Sequence, residues 1–473
     1  MHEGTTQPHN GLDTPAQPQN AAPRAYSGLQ RWLLLITLAI GYIFAFVVLE
    51  RVEHADSIRA FSPAYALFWC VYLAGYYACL WRKAVTKWES WVLLGSVLLL
   101  FLHFALYHER VLSLMNLLFI PLLLMLHAVV GAFDVPYKAE GAYVVHYALG
   151  WVYFPFCAIG RWFGAIGSLF AKGEDQRKSA RRSIWMGILC GLPVCIVVFA
   201  LLLQADAAMR AWFAGWLSFL PDISFGRILL LLVLAALFYS FLYNLCWGEG
   251  HKTAVPAKGE RLPAPSLMAV MGMLLFAYAV FIAFQFTYLT GLKGLPSGLT
   301  YSEYAVHGFE QLLWVTCINL IVFGIALKES KPHAALKPML FALLAATALV
   351  LASAMVRLGM YVNAYALTWK RVLSAWLMLY FCIALLLCAI RLAKPRLPLL
   401  RILALGLICW YVALNLVNVE GMIAHSIFRR AQAKGGRLEE ADAAYIRYNL
   451  SRDARADELS AAYGIRVPPE EAP

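Results

Sequence analysis

The chain has 473 residues, 62% of them hydrophobic and 14% charged, with a mean hydropathy of +0.67. Soluble domains run roughly 45–50% apolar and about 25% charged, so a soluble enzyme, a disordered chain and a fibrous protein are all excluded. The formal net charge of +12 reads first as the loop charge of a membrane protein, since cytoplasmic loops collect Lys and Arg. Nucleic acid is not expected as a partner.

A spanning helix needs about 20 mostly apolar residues. After a Pro-, Gln- and Asn-rich tail over 1–30, expected to be disordered and cytoplasmic, that ruler predicts eleven spans. The first four, Arg31–Leu49, Pro63–Trp81, Ser90–Tyr107 and Val111–Gly131, form a four-helix membrane segment over 31–131. The stretch 142–170 is long enough to cross but is broken by Gly150, Pro155, Gly160 and Arg161 and loaded with aromatics, which predicts an interfacial amphipathic helix. A seven-helix domain over 184–419 follows: Ile184–Ala205, Phe225–Trp247, Leu267–Thr290, Ala305–Leu327, Pro338–Val356, Arg371–Ile390 and Ile402–Val419. The tail 420–473 is polar, and apolar residues at Leu438, Ala441, Tyr445 and Tyr448, then Leu450, Leu459 and Tyr463, predict a small helical hairpin. The fold class expected is an all-α polytopic bundle.

Loop charge orients it. With the N-terminus inside, cytoplasmic loops hold 20 Lys and Arg and the opposite loops nine, leaving aside the tail and the interfacial region. N-in with the C-terminus outside is therefore the expected topology, in the cytoplasmic membrane of a bacterium. The lipid bilayer is then the first partner, with anionic head groups and a membrane or periplasmic protein as further ones.

The chain has no phosphate-binding G-x-x-x-x-G-K-[ST] motif and no H-E-x-x-H. No C-x-x-C occurs among its ten cysteines, which read as small core hydrophobes. No cofactor and no metal are expected. His103 and His127 sit at depths differing by about 18 Å at 1.5 Å per residue, too far apart to share a ligand, so each reads as a packed or hydrogen-bonded histidine. None of the 27 acidic residues falls near the centre of a span, which argues against a proton- or cation-coupled carrier.

Polar residues gather instead at the expected outer ends. Asp206 closes the fifth span and Tyr288 the seventh. Thr300 and Glu303 form a T-x-x-E capping box for the eighth, with His307 and Gln311 on the same face as Glu303 and with Glu310 one turn in. Arg357 and Tyr361 stack at i, i+4 just beyond the ninth span, with Arg357 expected either to snorkel, to bind an anionic head group or to pair with Glu310. Lys370 and Arg371 open the tenth span, while Asn415 and Asn418 end the last.

The ordered strings Gln285-x2-Tyr288-Leu289, Thr300-Tyr301-x-Glu303-Tyr304-Ala305, Ser353-Ala354-x2-Arg357-x3-Tyr361, Leu367-Thr368-x2-Arg371, Leu414-Asn415-x2-Asn418 and Leu450-Ser451-x-Asp453-Ala454 resemble a known family. It is the bacterial multi-pass membrane proteins classed as domain of unknown function 4173, with the closely similar class 4153. The resemblance covers roughly Ile184 to Leu459, implies a bacterial inner-membrane protein and supplies no reaction.

Three functions are then open. The first is a non-enzymatic envelope sensor, regulator or scaffold that presents the outer polar face and tail. The second is an uncoupled transporter or lipid translocator with Pro121 and Pro193 as helix breaks. The third is a lipid-dependent transferase using Glu303, His307 or Asp206.

Overall fold

The computed structural model describes residues 28–55, 57–84, 86–133, 141–169, 225–247, 263–289, 309–329 and 333–467. Their contacts divide the chain into two units, Met1–Leu35 with Gly160–Phe219, and Ile36–Ile159 with Leu220–Pro473.

The described residues are helical throughout. Helix α1 (Gly28–Tyr42) passes through a π-helical stretch (Ile43–Val48) into α2 (Leu49–Glu53), followed by α3 (Ile58–Ala84), α4 (Trp88–Leu106) and α5 (Val111–Ala132). Next come α6 (Gly141–Val152), α7 (Phe154–Cys157) and α8 (Ile159–Leu169). Beyond the undescribed segment lie α9 (Phe225–Trp247), α10 (Ala264–Leu289), α11 (Phe309–Glu329), α12 (Leu336–Tyr365), α13 (Trp369–Ala393) and α14 (Leu399–Asn415). The chain closes with α15 (Val419–Ala433), α16 (Glu440–Asn449), a 3₁₀ turn (Arg452–Ala454) and α17 (Ala456–Tyr463).

Among the described residues, nine helices are long and apolar enough to cross a membrane, and α14 with α15 would make a tenth if that bent pair is counted as one. The protein is a multi-pass membrane protein. Ten of the eleven expected spans coincide with described helices; the remaining one, Ile184–Ala205, lies outside the described residues.

Three expectations need correction. The single interfacial helix over 142–170 is three short helices, because Tyr153 and Ala158 leave helical register around Pro155. The last span stops at Asn415 instead of Val419, and the axis turns by 61° before α15. The tail is three helices and a 3₁₀ turn, not a two-helix hairpin. Its first helix, α15, starts where the Asn418 side chain accepts the Gly421 amide (2.8 Å). It ends before Gly435 and Gly436, which take φ of +97° and +79°. With Glu420, His425, Arg429 and Arg430 on it, α15 reads as lying outside the hydrocarbon. Together, α15 to α17 form a cap.

Packing inside the bundle follows the rules of a solvent without water. Gly41 brings α1 against the backbone of α9 at Leu231, with no room for a side chain. Polar groups bond between helices: Tyr278 to Asn319 (2.5 Å) and Asn319 to Thr347 (2.9 Å) join α10, α11 and α12. Trp376 and Trp410 each donate an indole N–H to the other's carbonyl, at 3.0 and 2.9 Å, joining α13 to α14. His127 sits between Ser90 and Tyr77, 3.1 Å from each hydroxyl. Lys87 donates to the carbonyls of Val130 and Phe133 (2.8 and 2.7 Å), closing the C-terminus of α5.

Candidate functional site

The polar residues of the cap end collect at two anchors, each joining the cap to a turn of the bundle. The first is built on the break between α14 and α15. Asn415 ends α14 fully buried, and its carbonyl oxygen has lost its helical partner. His103, in the last turn of α4, donates Nδ1–H to it at 2.9 Å. A carbonyl only accepts, so Nδ1 must carry a proton. The other ring nitrogen lies 2.7 Å from Glu109 Oε1. One further proton is shared across that contact, whether the pair is written as imidazolium and carboxylate or as imidazole and acid. The second Glu109 oxygen accepts the Leu112 amide (3.0 Å), which closes the open start of α5.

The Asn415 side chain continues the network sideways. Asn116 donates to its Oδ1 (2.8 Å), Tyr411 donates to Asn116 (2.6 Å), and the Asn415 amide donates to the Tyr411 carbonyl (2.9 Å).

From the cap, Asp453 reaches the α4–α5 turn. One of its oxygens accepts the backbone amides of His108 and Glu109, and the other lies 3.3 Å from His108 Nδ1. Arg59 Nη1 is 2.6 Å from His108 Nε2. Arginine only donates, so Nε2 accepts and the His108 proton sits on Nδ1, facing Asp453. Asn418 donates to the Asp453 carbonyl (2.9 Å) while its own oxygen caps α15. Glu420, 2% exposed, accepts both the amide (2.7 Å) and the hydroxyl (2.5 Å) of Ser451. Burial pushes the Glu420 carboxyl above its ordinary value, against the pull of the two Ser451 bonds.

The second anchor holds the α12–α13 turn. Ala366 ends α12 at φ +59°, a conformation that costs a residue with a Cβ. Arg371 donates to the carbonyls of Tyr365 and Ala366, and its guanidinium lies 3.9 Å from the Tyr361 ring centre. From the cap, Ser426 accepts the Leu367 amide (3.1 Å) and Tyr445 accepts the Trp369 amide (3.0 Å). Within the cap, Arg430 bridges Glu439 (2.8 Å) and Asp442 (3.3 Å), and Lys434 reaches Glu439 (2.7 Å). Lys434 and Arg430 hold the Glu439 carboxyl below its ordinary value of 4.5, whereas burial raises that of Asp442.

The residues singled out from the sequence therefore separate. Asn415 and Asn418 belong to the first anchor. Tyr361, Lys370 and Arg371 belong at the second, beside Glu310, which forms an ion pair with Lys370. Tyr361 lies under Arg371. Arg357 is 7% exposed within α12, so it does not snorkel into water, and the ion pair described for Glu310 is with Lys370. The backbone of Tyr288 lies in α10; Asp206, Glu303 and His307 lie outside the described residues.

Sequence reading missed His108, Glu109, Asn116, Glu420, Ser426 and the roles of Tyr445, Ser451 and Asp453. The helical spacing at Tyr445 and the string Ser451-x-Asp453 were the signals present, and the partners lie up to 345 residues away. Among the described residues no group of three or more His, Cys, Asp and Glu is placed to hold a metal ion.

A family model described as Domain of unknown function (DUF4153) matches residues 94–457. The chain belongs to this family. It is the second of the two classes that the strings resemble, and the match begins well before Ile184, taking in α5 and most of α4. The family segment thus contains Asn415, Asn418 and Asp453 together with His103, Glu109 and Asn116. Comparison with curated proteins and with solved structures finds no match.

Replacing Asn415 with alanine strands the buried Asn116 amide, and an unmet buried polar group costs about 1–3 kcal/mol. Asn415→Ala is therefore expected to lower the Tm of the purified protein, and an unchanged Tm would count against the network. Glu439 gives a pH signature. Because its folded pKa is depressed, its stabilisation is present above the ordinary value of 4.5 and disappears as pH falls through the folded value. The pair is half-exposed, so the effect is below about 1 kcal/mol. Glu439→Gln should remove the part of the cap's acid sensitivity that the wild type shows below pH 4.5, measured by amide exchange over α15 and α16.

Proposed function

We propose that the protein is a non-enzymatic regulator or scaffold of the bacterial inner membrane, with the cap as its working module on the extracytoplasmic side. The observation that carries this reading is the Asp453 carboxylate. A single cap residue gathers two backbone amides and an imidazole from the α4–α5 turn. Polar and titratable contacts of this kind hold a module in one position and release it when a competitor or a proton intervenes. The carboxylates of the first anchor, Glu109, Glu420 and Asp453, all accept backbone amides, which suits holding better than turnover. The excess of Lys and Arg in the loops assigned to the cytoplasm, away from the cap, supports the orientation.

In cells lacking the gene, an Asp453→Ala chain is expected to insert normally, to fail to restore the envelope phenotype and to leave phospholipid composition unaltered. Full restoration by that chain, or a changed lipid profile on gene loss, would overturn the reading. A cysteine introduced by Tyr448→Cys, at a position 63% exposed, should react with a membrane-impermeant maleimide in intact cells; protection would overturn the orientation.

One observation favours the second reading, a lipid translocator. An almost wholly apolar cavity of 390 Å³ lies between α4, α5, α6 and α14, with the Glu89–Arg401 ion pair (3.3 Å) among its lining. If lipid moves along it, Ala404→Trp should slow phospholipid scrambling in proteoliposomes, and equal rates with and without protein would remove this alternative.

A further inference from the structure

A second cavity, of 310 Å³, opens between the start of α3 and the α4–α5 turn. Its lining includes the apolar Phe61, Phe104 and Leu114 together with Arg59, His108 and Arg110. Glu109 is the one carboxylate among the described lining residues, and its two oxygens are taken by His103 and the Leu112 amide. The described side-chain partner of Arg59 is the imidazole of His108, and Arg110 forms no ion pair among the described residues. Among the described residues, therefore, two arginines line one cavity without an assigned counter-charge. By loop charge they also lie on the side where cations are scarce.

We propose that this cavity binds a phosphate-bearing anion, with Arg59 and Arg110 supplying the charge. A guanidinium presents paired N–H donors that match two phosphate oxygens, which a point charge cannot do. The apolar lining residues suit the glycerol end of a phospholipid head group, and the arginines alone suit free phosphate; the chemistry of the anion is the same in both.

Resting on the regulatory reading above, the site is wired to the cap. Arg59 fixes the His108 proton on Nδ1, facing Asp453. An anion that takes the Arg59 donor releases Nε2 from its role as acceptor. The imidazole is then free to change tautomer, which weakens the contact that holds the 3₁₀ turn of the cap.

The full chain in nanodiscs tests both steps. One arm titrates inorganic phosphate into phosphatidylcholine discs; the other compares phosphatidylcholine discs with discs containing phosphatidylglycerol. A saturable rise in Tm is expected in at least one arm: in the first for a soluble phosphate, in the second alone for a lipid head group. Arg59→Gln with Arg110→Gln, at two exposed positions, should weaken the apparent affinity at least about tenfold, the loss expected from removing charge-assisted hydrogen bonds. Arg437→Gln, an exposed position in the cap, should leave it unchanged. No saturable response in either arm, or a double variant that responds like the wild type, would sink the site. Binding that leaves amide exchange over 419–467 unaltered would keep the site and remove its link to the cap.

Discussion

A helix that stops inside protein leaves carbonyls without partners, and no water is at hand in hydrocarbon to supply donors. The most consequential helix end here is Asn415. His103 meets its carbonyl from α4, Asn116 meets its side chain from α5, and its own amide turns back to Tyr411. Those bonds allow the chain to leave the bundle at 61° and build the cap. Without them, α14 would have to run on as a straight helix or carry unmet polar groups into an apolar setting.

The cap is accordingly continuous with the bundle. Ile423, Ile427 and Phe428 from α15 share a buried cluster with Leu112, Trp369, Val372 and Leu414, so burial supplies the bulk of the attachment. The polar anchors contribute position. Each satisfies a turn that the bundle leaves incomplete: the α4–α5 turn through Asp453, and the strained Ala366 turn through Ser426, Tyr445 and Arg371. Arg371 is accounted for by carbonyls at a helix C-terminus and by the Tyr361 ring.

Parts of this arrangement were legible in the sequence. Asn415 and Asn418 are polar residues at the end of an apolar run, and Ser451-x-Asp453 lies in one of the strings that carry the family resemblance. His103 and His127 read as separately bonded histidines, and the structure places them with Glu109 and with Ser90 respectively. The approach of Arg371 to the Tyr361 ring was not legible, because helical spacing shows which residues share a face and not which neighbour approaches it. Arg371 lies ten residues beyond Tyr361 across a turn, where spacing carries no information.

By itself, the sequence determined that the chain lives in lipid, because the length and hydropathy of a run are local quantities that a bilayer of fixed thickness reads directly. Short strings kept in order also pointed to uncharacterised membrane-protein classes, of which the second-named, 4153, is the one that matches. Only the tertiary structure decided that the last span bends into a cap and that Asp453 meets His108 across 345 residues. It also decided that Arg59 and Arg110 line one cavity, with no carboxylate partner assigned to them among the described residues. Those outcomes depend on which helix ends fall side by side, and that is set by packing across the whole bundle and by no local pattern.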